Sequence, residues 1–558
     1  MSSSEQIPLS SAFAPEVKLD NATVIGNSNG NYSEFLGIRY AAPAVRFSLP
    51  QQHPAYNGTV NATVFGSPCS QQNYTWPTPV NDDQRHIQNF LQTSIPTFTG
   101  SEDCLNLNVF VPASATPSSR LPVVVWFPGG GFQTGAAQAN KGESVVLRSV
   151  AIGRPVIWVG VNYRLSAFGF LASEEVRNAK LGNLGLQDQR QALRWVSQYI
   201  ANFGGDPSSV TLWGESAGAM SIALQMIAFN ANTENLFRGA IMQSGAPLPV
   251  GDITHGQKYY NDLVRATGCQ NANDTLTCLR NADYNILKAA VDASPSFLSF
   301  QSLNLAWVPR VDGVVLTDEP MQLVADGIMA KIPFISGNCD DEGTLFSLSS
   351  TNISQEAILR AWIHQNYLPN ATTSDITNLF GNYTNDPRQG SPFDTGDHNQ
   401  LTPVWKQAAA IQGDMVFQAP RRFFMQSALN YGNHKIWGFL SKRFKDEAVQ
   451  YLRFMGSMHG TDLRNAYDLG GKVGGELLDY VICFVNTLDP QNGCGQLRRE
   501  WPAYDSSASR PMLEFTTVSG LPELSATTDD YRQGPIDLLI SLMIRYPLLP
   551  GPPKERIN

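Results

Sequence analysis

Charge is scarce in this chain. Only 16% of its 558 residues are Asp, Glu, Lys or Arg, and the formal net charge is −9. With no Lys/Arg-rich run, the chain lacks the basic field that nucleic acid or an anionic membrane surface would require, so neither is expected as a partner. Long apolar runs are missing too. None reaches the ~20 residues of a membrane helix, and the best candidate, Leu538 to Ile544, is interrupted by Ser541 and flanked by Asp537 and Arg545. It reads as a buried or amphipathic C-terminal helix. The seven cysteines form no C-x-x-C pair, and there is no H-E-x-x-H; no metal and no organic cofactor are expected. Met1 to Glu5 shows no apolar core of a signal peptide. Internal repeats, low-complexity tracts and a linker are also lacking, so residues 1–558 are expected to form one elaborated domain, with 351–430 as a helical insertion. Nothing sets an oligomeric state.

What is abundant points to a large core and an oxidising compartment. Hydrophobic residues make up 42% of the chain. Asn-x-Ser/Thr sequons occur at Asn21, Asn31, Asn57, Asn61, Asn73, Asn273, Asn352, Asn370 and Asn382, each a candidate glycosylation site in a secreted protein. Cys269 and Cys278 bracket a short polar loop suited to a disulfide. Together these features favour secretion. From Cys104 onward, apolar strands alternate with helical patterns: Leu105–Val111, Pro122–Phe127, Pro155–Asn162, the helix Leu186–Phe203, Ser209–Trp213 and Phe237–Gln243. Such alternation predicts an α/β fold with a central, mostly parallel sheet covered by helices. Ligands of these sheets bind beyond the carboxyl ends of the strands.

Candidate chemistry begins at Gly214-Glu215-Ser216-Ala217-Gly218, between a β-prone run and the helix-prone Ala217–Ala228. This is the G-x-S-x-G elbow in its strand–turn–helix setting, with Ser216 as nucleophile. A serine hydroxyl needs a base, and the base needs a third group to hold it. Glu342 follows an apolar strand and precedes Gly343, which puts it where the sheet meets its active edge. Of the histidines beyond it, His364 lies in a helical pattern, His398 in a polar loop and His434 at a strand start. His459, among Gly456, Ser457 and Gly460, has the small neighbours that a shared imidazole needs. Backbone N–H groups of Gly130, Gly131 and Ala217 are candidate donors to a tetrahedral oxyanion. An unperturbed imidazole would make turnover fall below a pH of roughly 6.5.

Ser101-Glu-Asp-Cys-Leu-Asn-Leu-Asn108, together with Gly214–Gly218, resembles the two signatures of the type-B carboxylesterase/lipase family, and the likeness spans most of the chain. It implies an α/β-hydrolase fold with helical insertions, and serine-dependent hydrolysis of carboxylic esters through an acyl-enzyme. The acid is placed at Glu342 and the base at His459. It also implies Cys69–Cys104 and Cys269–Cys278 disulfides, structural pairs Arg46–Glu102 and Arg164–Asp188, and Ser244 as a serine near the histidine. Pro128 stands where many members have His, and Trp76 is too close to Cys69 to be a cholinesterase-type cation site. Cys339 is expected to be free, with Cys483 and Cys494 available for a third bridge. The amphipathic stretch Asp82–Ile95, inside the Cys69–Cys104 loop (69–104), is either a packed surface helix or a lid that meets a lipid interface. Within ester hydrolysis, a lipase or sterol esterase for long chains competes with an esterase for short or aromatic acyl groups such as feruloyl esters. A peptidase is a weaker reading. A non-catalytic adhesion protein on the same fold is the alternative of another class.

Overall fold

A computed structural model describes residues 14–140, 142–445, 450–467, 475–492, 499–507 and 509–546. Its frame is an eleven-stranded sheet: β1 (Asn27–Ser28), β2 (Tyr32–Arg39), β3 (Asn106–Pro112), β4 (Leu121–Phe127), β5 (Ile157–Val161), β6 (Gly205–Glu215), β7 (Gly239–Gln243), β8 (Phe334–Cys339), β9 (Ile436–Ser441), β10 (Pro511–Val518) and β11 (Leu521–Thr528). The spatial order is β11-β10-β9-β8-β7-β6-β4-β5-β3-β2-β1. Neighbours from β5 through β10 run parallel, while both margins are antiparallel. A small three-stranded sheet of Glu16–Leu19, Asn21–Ile25 and Asn57–Asn61 lies apart from it.

The continuous apolar run of β4 has a simple cause. Successive side chains point to opposite faces, and both faces are covered. Val123, Val125 and Phe127 enter one core cluster, whereas Val124 and Trp126 enter the other. The second cluster is rich in tryptophan: Trp213 stacks on Tyr467 at 5.2 Å and meets Trp126 edge-on at 5.2 Å. Each fully buried side chain of this kind contributes about 1.5–3 kcal/mol.

Several boundaries differ from the sequence reading. The Leu186–Phe203 helix is Leu184–Tyr199 followed by a 3₁₀ turn. The elbow helix, Ala217–Ala231, leaves helical geometry at Ala228, Phe229 and Asn230. In the helix Asp82–Ser94 the buried positions are Gln84, Ile87, Gln88 and Leu91; of His86, Phe90, Leu91 and Ile95, which fall at helical spacing in the sequence, only Leu91 is among them. His86 instead lies exposed, its ring 5.8 Å from that of Tyr451. Polar Gln84 is inside because its amide donates to the Leu348 carbonyl at 3.1 Å. The C-terminal helix runs Gln533–Arg545, with Ile536, Leu539, Leu542 and Met543 buried. No described helix is long and apolar enough to cross a membrane.

Cross-links fall as the family likeness implied. Cys69 bonds Cys104, Cys269 bonds Cys278, and Cys339 is free and buried. Cys483 is disulfide-bonded, but Cys494 lies outside the described residues. Arg46 forks onto Glu102 at 2.7 and 2.6 Å. Arg164 grips Asp188 at 2.8 and 2.7 Å, and its guanidinium also donates to the Ser48 carbonyl at 2.8 Å. Both partners of this second pair are fully buried. Leaving one buried charge without its partner costs about 3–5 kcal/mol, whereas an exposed pair contributes at most ~1. Asp188→Asn is therefore expected to lower the urea midpoint steeply, and Asp103→Asn, which breaks the exposed Arg39 pair, to leave it nearly unchanged. Equal effects would contradict this ranking.

Candidate active site

Ser216 sits between β6 and the helix beginning at Ala217, with φ +56° and ψ −127°. That is a left-handed conformation unfavourable for a side-chain-bearing residue. Crowding explains the glycine at 218: a Cβ there would lie 2.0 Å from the Phe127 carbonyl oxygen. The turn is pinned by the Ser216 N–H donating to the Gln243 carbonyl at 2.9 Å.

Three parallel strands deliver the partners to one edge. The turn after β8 carries Glu342, the turn after β7 carries Ser244, and the segment beyond β9 carries His459. His459 Nε2 is 2.8 Å from Ser216 Oγ, and Nδ1 is 2.5 Å from Glu342 Oε2. The other oxygen of Glu342 accepts from Ser244 Oγ at 2.6 Å and from the Cys339 N–H at 2.7 Å, so its orientation is over-determined. Rings of Phe417 and Phe346, centred 4.7 and 5.0 Å from the imidazole, enclose it.

On the far side of the serine, Gly130 (φ +112°) and Gly131 (φ +63°) form the turn after β4. A Cβ on Gly130 would meet the Thr134 carbonyl oxygen at 2.3 Å, so only glycine fits. Among the described residues the N–H groups of Gly130, Gly131 and Ala217 have no protein acceptor. All three residues line the cavity that opens on Ser216. Pro128 lacks an N–H, and its carbonyl accepts from the Tyr163 hydroxyl at 2.8 Å. The cavity measures about 460 Å³, and its lining is largely apolar, including Met220, Leu224, Phe297, Leu305, Val416 and Phe417.

Sequence reasoning missed two carboxyls beside the histidine. Glu215 Oε1 lies 3.3 Å from His459 Nε2. Asp462 accepts from Gln243 Nε2 at 3.0 Å, and Oε1 of the same Gln243 side chain accepts from the Trp213 indole at 2.7 Å. Glu215 occupies the variable position of the elbow motif, and Asp462 comes three residues after His459; both were visible but had no assigned role. Phe417 gave no signal, because a π-helical turn at Asp414–Gln418 sets its direction. Burial opposes a charge on His459, yet Glu342, Glu215 and Asp462 outweigh it and raise the imidazole to about 9. Burial pushes the Glu215 carboxyl up to about 8, and burial with the Glu342 charge pushes Asp462 up to about 6. The expectation of an unperturbed imidazole near 6.5 is thus corrected upward, for a stated electrostatic reason.

The remaining candidates lie apart from this cluster. His364 Nε2 meets the Ala371 carbonyl at 3.0 Å, His398 is exposed, and His434 precedes β9. Every sequon asparagine, from Asn21 to Asn382, is exposed.

A family model described as the carboxylesterase family matches residues 14–529. Similar proteins include Secreted lipase 1 of Botryotinia fuckeliana, 39% identical over 95% of this chain and 93% of its own length. Lipase 2 of Diutina rugosa is 40% identical over 95% and 96%. Among solved structures, Aspergillus niger EstA aligns with a TM-score of 0.80 and 28% identity, covering 96% of this chain and 99% of that one.

Glu215→Gln removes a negative group beside the imidazole and so lowers its affinity for protons. If neutral His459 is required, the acid limb of kcat/KM moves to lower pH by about one unit or more, the scale of one neighbouring charge. A pH–rate series on a p-nitrophenyl ester checks this; an unmoved limb would contradict it.

Proposed function

The chain belongs to the carboxylesterase family and is a carboxylic ester hydrolase, and from that premise we propose that Ser216, His459 and Glu342 carry the reaction. The observation supporting this is the unbroken contact chain from Ser216 Oγ through the imidazole to Glu342. Ser216 Oγ bonds to the ester carbonyl carbon as its proton passes to His459 Nε2. Glu342 holds the Nδ1–H and stabilises the imidazolium. The carbonyl oxygen, now negative, accepts from the N–H groups of Gly130, Gly131 and Ala217. Losing one such donor costs about 10²–10³ in rate. Collapse breaks the carbonyl–alkoxy bond, and the alcohol leaves with the proton from His459. Water, deprotonated by the same imidazole, then adds to the acyl carbon and releases the acid and Ser216. Ser244 acts by fixing the Glu342 carboxylate.

The substrates on this reading are lipid esters with long apolar acyl chains. The apolar cavity supports it, as do the lipase names of the relatives. The 69–104 loop serves as a lid: Ile95, Pro96 and Phe98, just past its helix, form part of the cavity wall, so displacing the loop would open the cavity to a lipid surface. Secretion with glycans on the exposed sequons fits two disulfides and relatives named as secreted lipases. One domain, centred on the single large sheet, accounts for residues 1–558, with 351–430 as its helical insertion.

Ser216→Ala is expected to cut turnover by about 10⁶, the scale of losing a triad nucleophile, and to abolish fluorophosphonate labelling. Near-normal hydrolysis by the variant would rule out the assignment. Across p-nitrophenyl esters from butanoate to decanoate, kcat/KM should climb about three- to fourfold per methylene buried, from ~0.8 kcal/mol each. A profile that falls beyond butanoate would favour a short-chain esterase.

A further inference from the structure

Besides His459, the described part of the cavity wall carries one basic side chain, and the reaction does not use that side chain. Arg310 lies on it beside Leu248, Pro249, Val250 and Val308, and is only 6% exposed. A guanidinium has five N–H donors. Here Nη1 donates to the Val250 carbonyl at 2.7 Å and Nη2 reaches the Leu305 carbonyl at a long 3.4 Å. Nε has no partner among the described residues. No described carboxylate lies within ion-pair distance. Asp252 is paired with Arg177, and Glu319 accepts instead from the Val250 and Gly251 N–H groups at 3.0 and 2.7 Å. Burial lowers Arg310 to about 10, so it stays charged at neutral pH. The Glu319 and Asp252 charges favour it only from beyond ion-pair distance, and a buried cation lacking a direct partner is expensive; Nη1 and Nη2 each keep one N–H without a protein acceptor, whereas Nε is shut away from the cavity.

We propose that Arg310 is an anchoring residue for a carboxylate at the far end of an ester substrate's chain, so that the enzyme accepts acyl groups ending in –COO⁻ as well as in –CH₃. The proposal rests on the reading that Ser216 is acylated from this cavity. With the ester carbonyl at Ser216, the chain runs along the apolar wall, and the terminal carboxylate takes the remaining N–H donors of Nη1 and Nη2. A charge-assisted pair of this kind is the strong form of hydrogen bond and is geometrically selective.

The test compares mono-p-nitrophenyl esters of α,ω-dicarboxylic acids with p-nitrophenyl esters of the corresponding monocarboxylic acids, from six to ten carbons. In the wild-type enzyme the ratio of kcat/KM, carboxylate-ended over methyl-ended, should peak at one chain length, where the span from Ser216 to Arg310 is matched. Arg310→Met should lower that peak ratio about 10- to 100-fold, the scale of a hydrogen bond to a charged group, while hydrolysis of the methyl-ended esters persists. Arg310→Lys should retain part of it. A wild-type ratio that is uniformly low at every length overturns the proposal without any variant, as does a ratio that Arg310→Met leaves unchanged. Inactivity of the wild-type enzyme on the methyl-ended esters would instead sink the proposed function.

Discussion

Ser216 occupies a backbone conformation, φ +56° and ψ −127°, that costs about 1–3 kcal/mol and persists only where the surroundings over-determine it. Here they do. Gly218 packs against the end of β4, so tightly that any Cβ would strike the Phe127 carbonyl. The Ser216 N–H is bound to the end of β7. The same strain lifts the hydroxyl off the sheet and leaves the first N–H of the following helix facing the reacting centre. Everything else in the site is placed relative to this turn, because β4, β7, β8 and β9 end at the same edge.

The electrostatics follow from that convergence. Three carboxyl groups, Glu342, Glu215 and Asp462, gather round one imidazole in a buried setting. Only Glu342 makes a short contact with Nδ1; Glu215 approaches the nitrogen that also faces the serine. Burial keeps Glu215 and Asp462 reluctant to ionise, while the carboxyl groups round His459 favour a proton on its imidazole. The phenyl rings of Phe346 and Phe417 leave little room for water to screen these charges.

Much of this was legible in the chain. The elbow motif works through backbone sterics, and sterics are written in the glycines; the parallel sheet announced itself because strands buried on both faces read as unbroken apolar runs such as Val123–Phe127. Small residues round His459 and the glycine after Glu342 marked them for the same reason. What stayed hidden depends on tertiary direction. Glu215 and Asp462 became site residues only once the end of β6 and the segment beyond β9 had been brought together. Phe417 turns inward through a π-turn that no periodicity encodes, and the rotation of the helix Asp82–Ser94 was set by a buried glutamine finding a carbonyl. The β10–β11 hairpin was missed because its half-exposed strands carry weak patterning.

If nucleophile, base and oxyanion donors share one reacting carbon, a crystal structure of the enzyme inactivated by an alkyl phosphonate will display it. Phosphorus should be bonded to Ser216 Oγ, with the phosphoryl oxygen about 2.7–3.1 Å from the N–H groups of Gly130, Gly131 and Ala217 and the alkyl chain along the apolar wall. Phosphorus on another residue, or a phosphoryl oxygen turned away from those three amides, would contradict it.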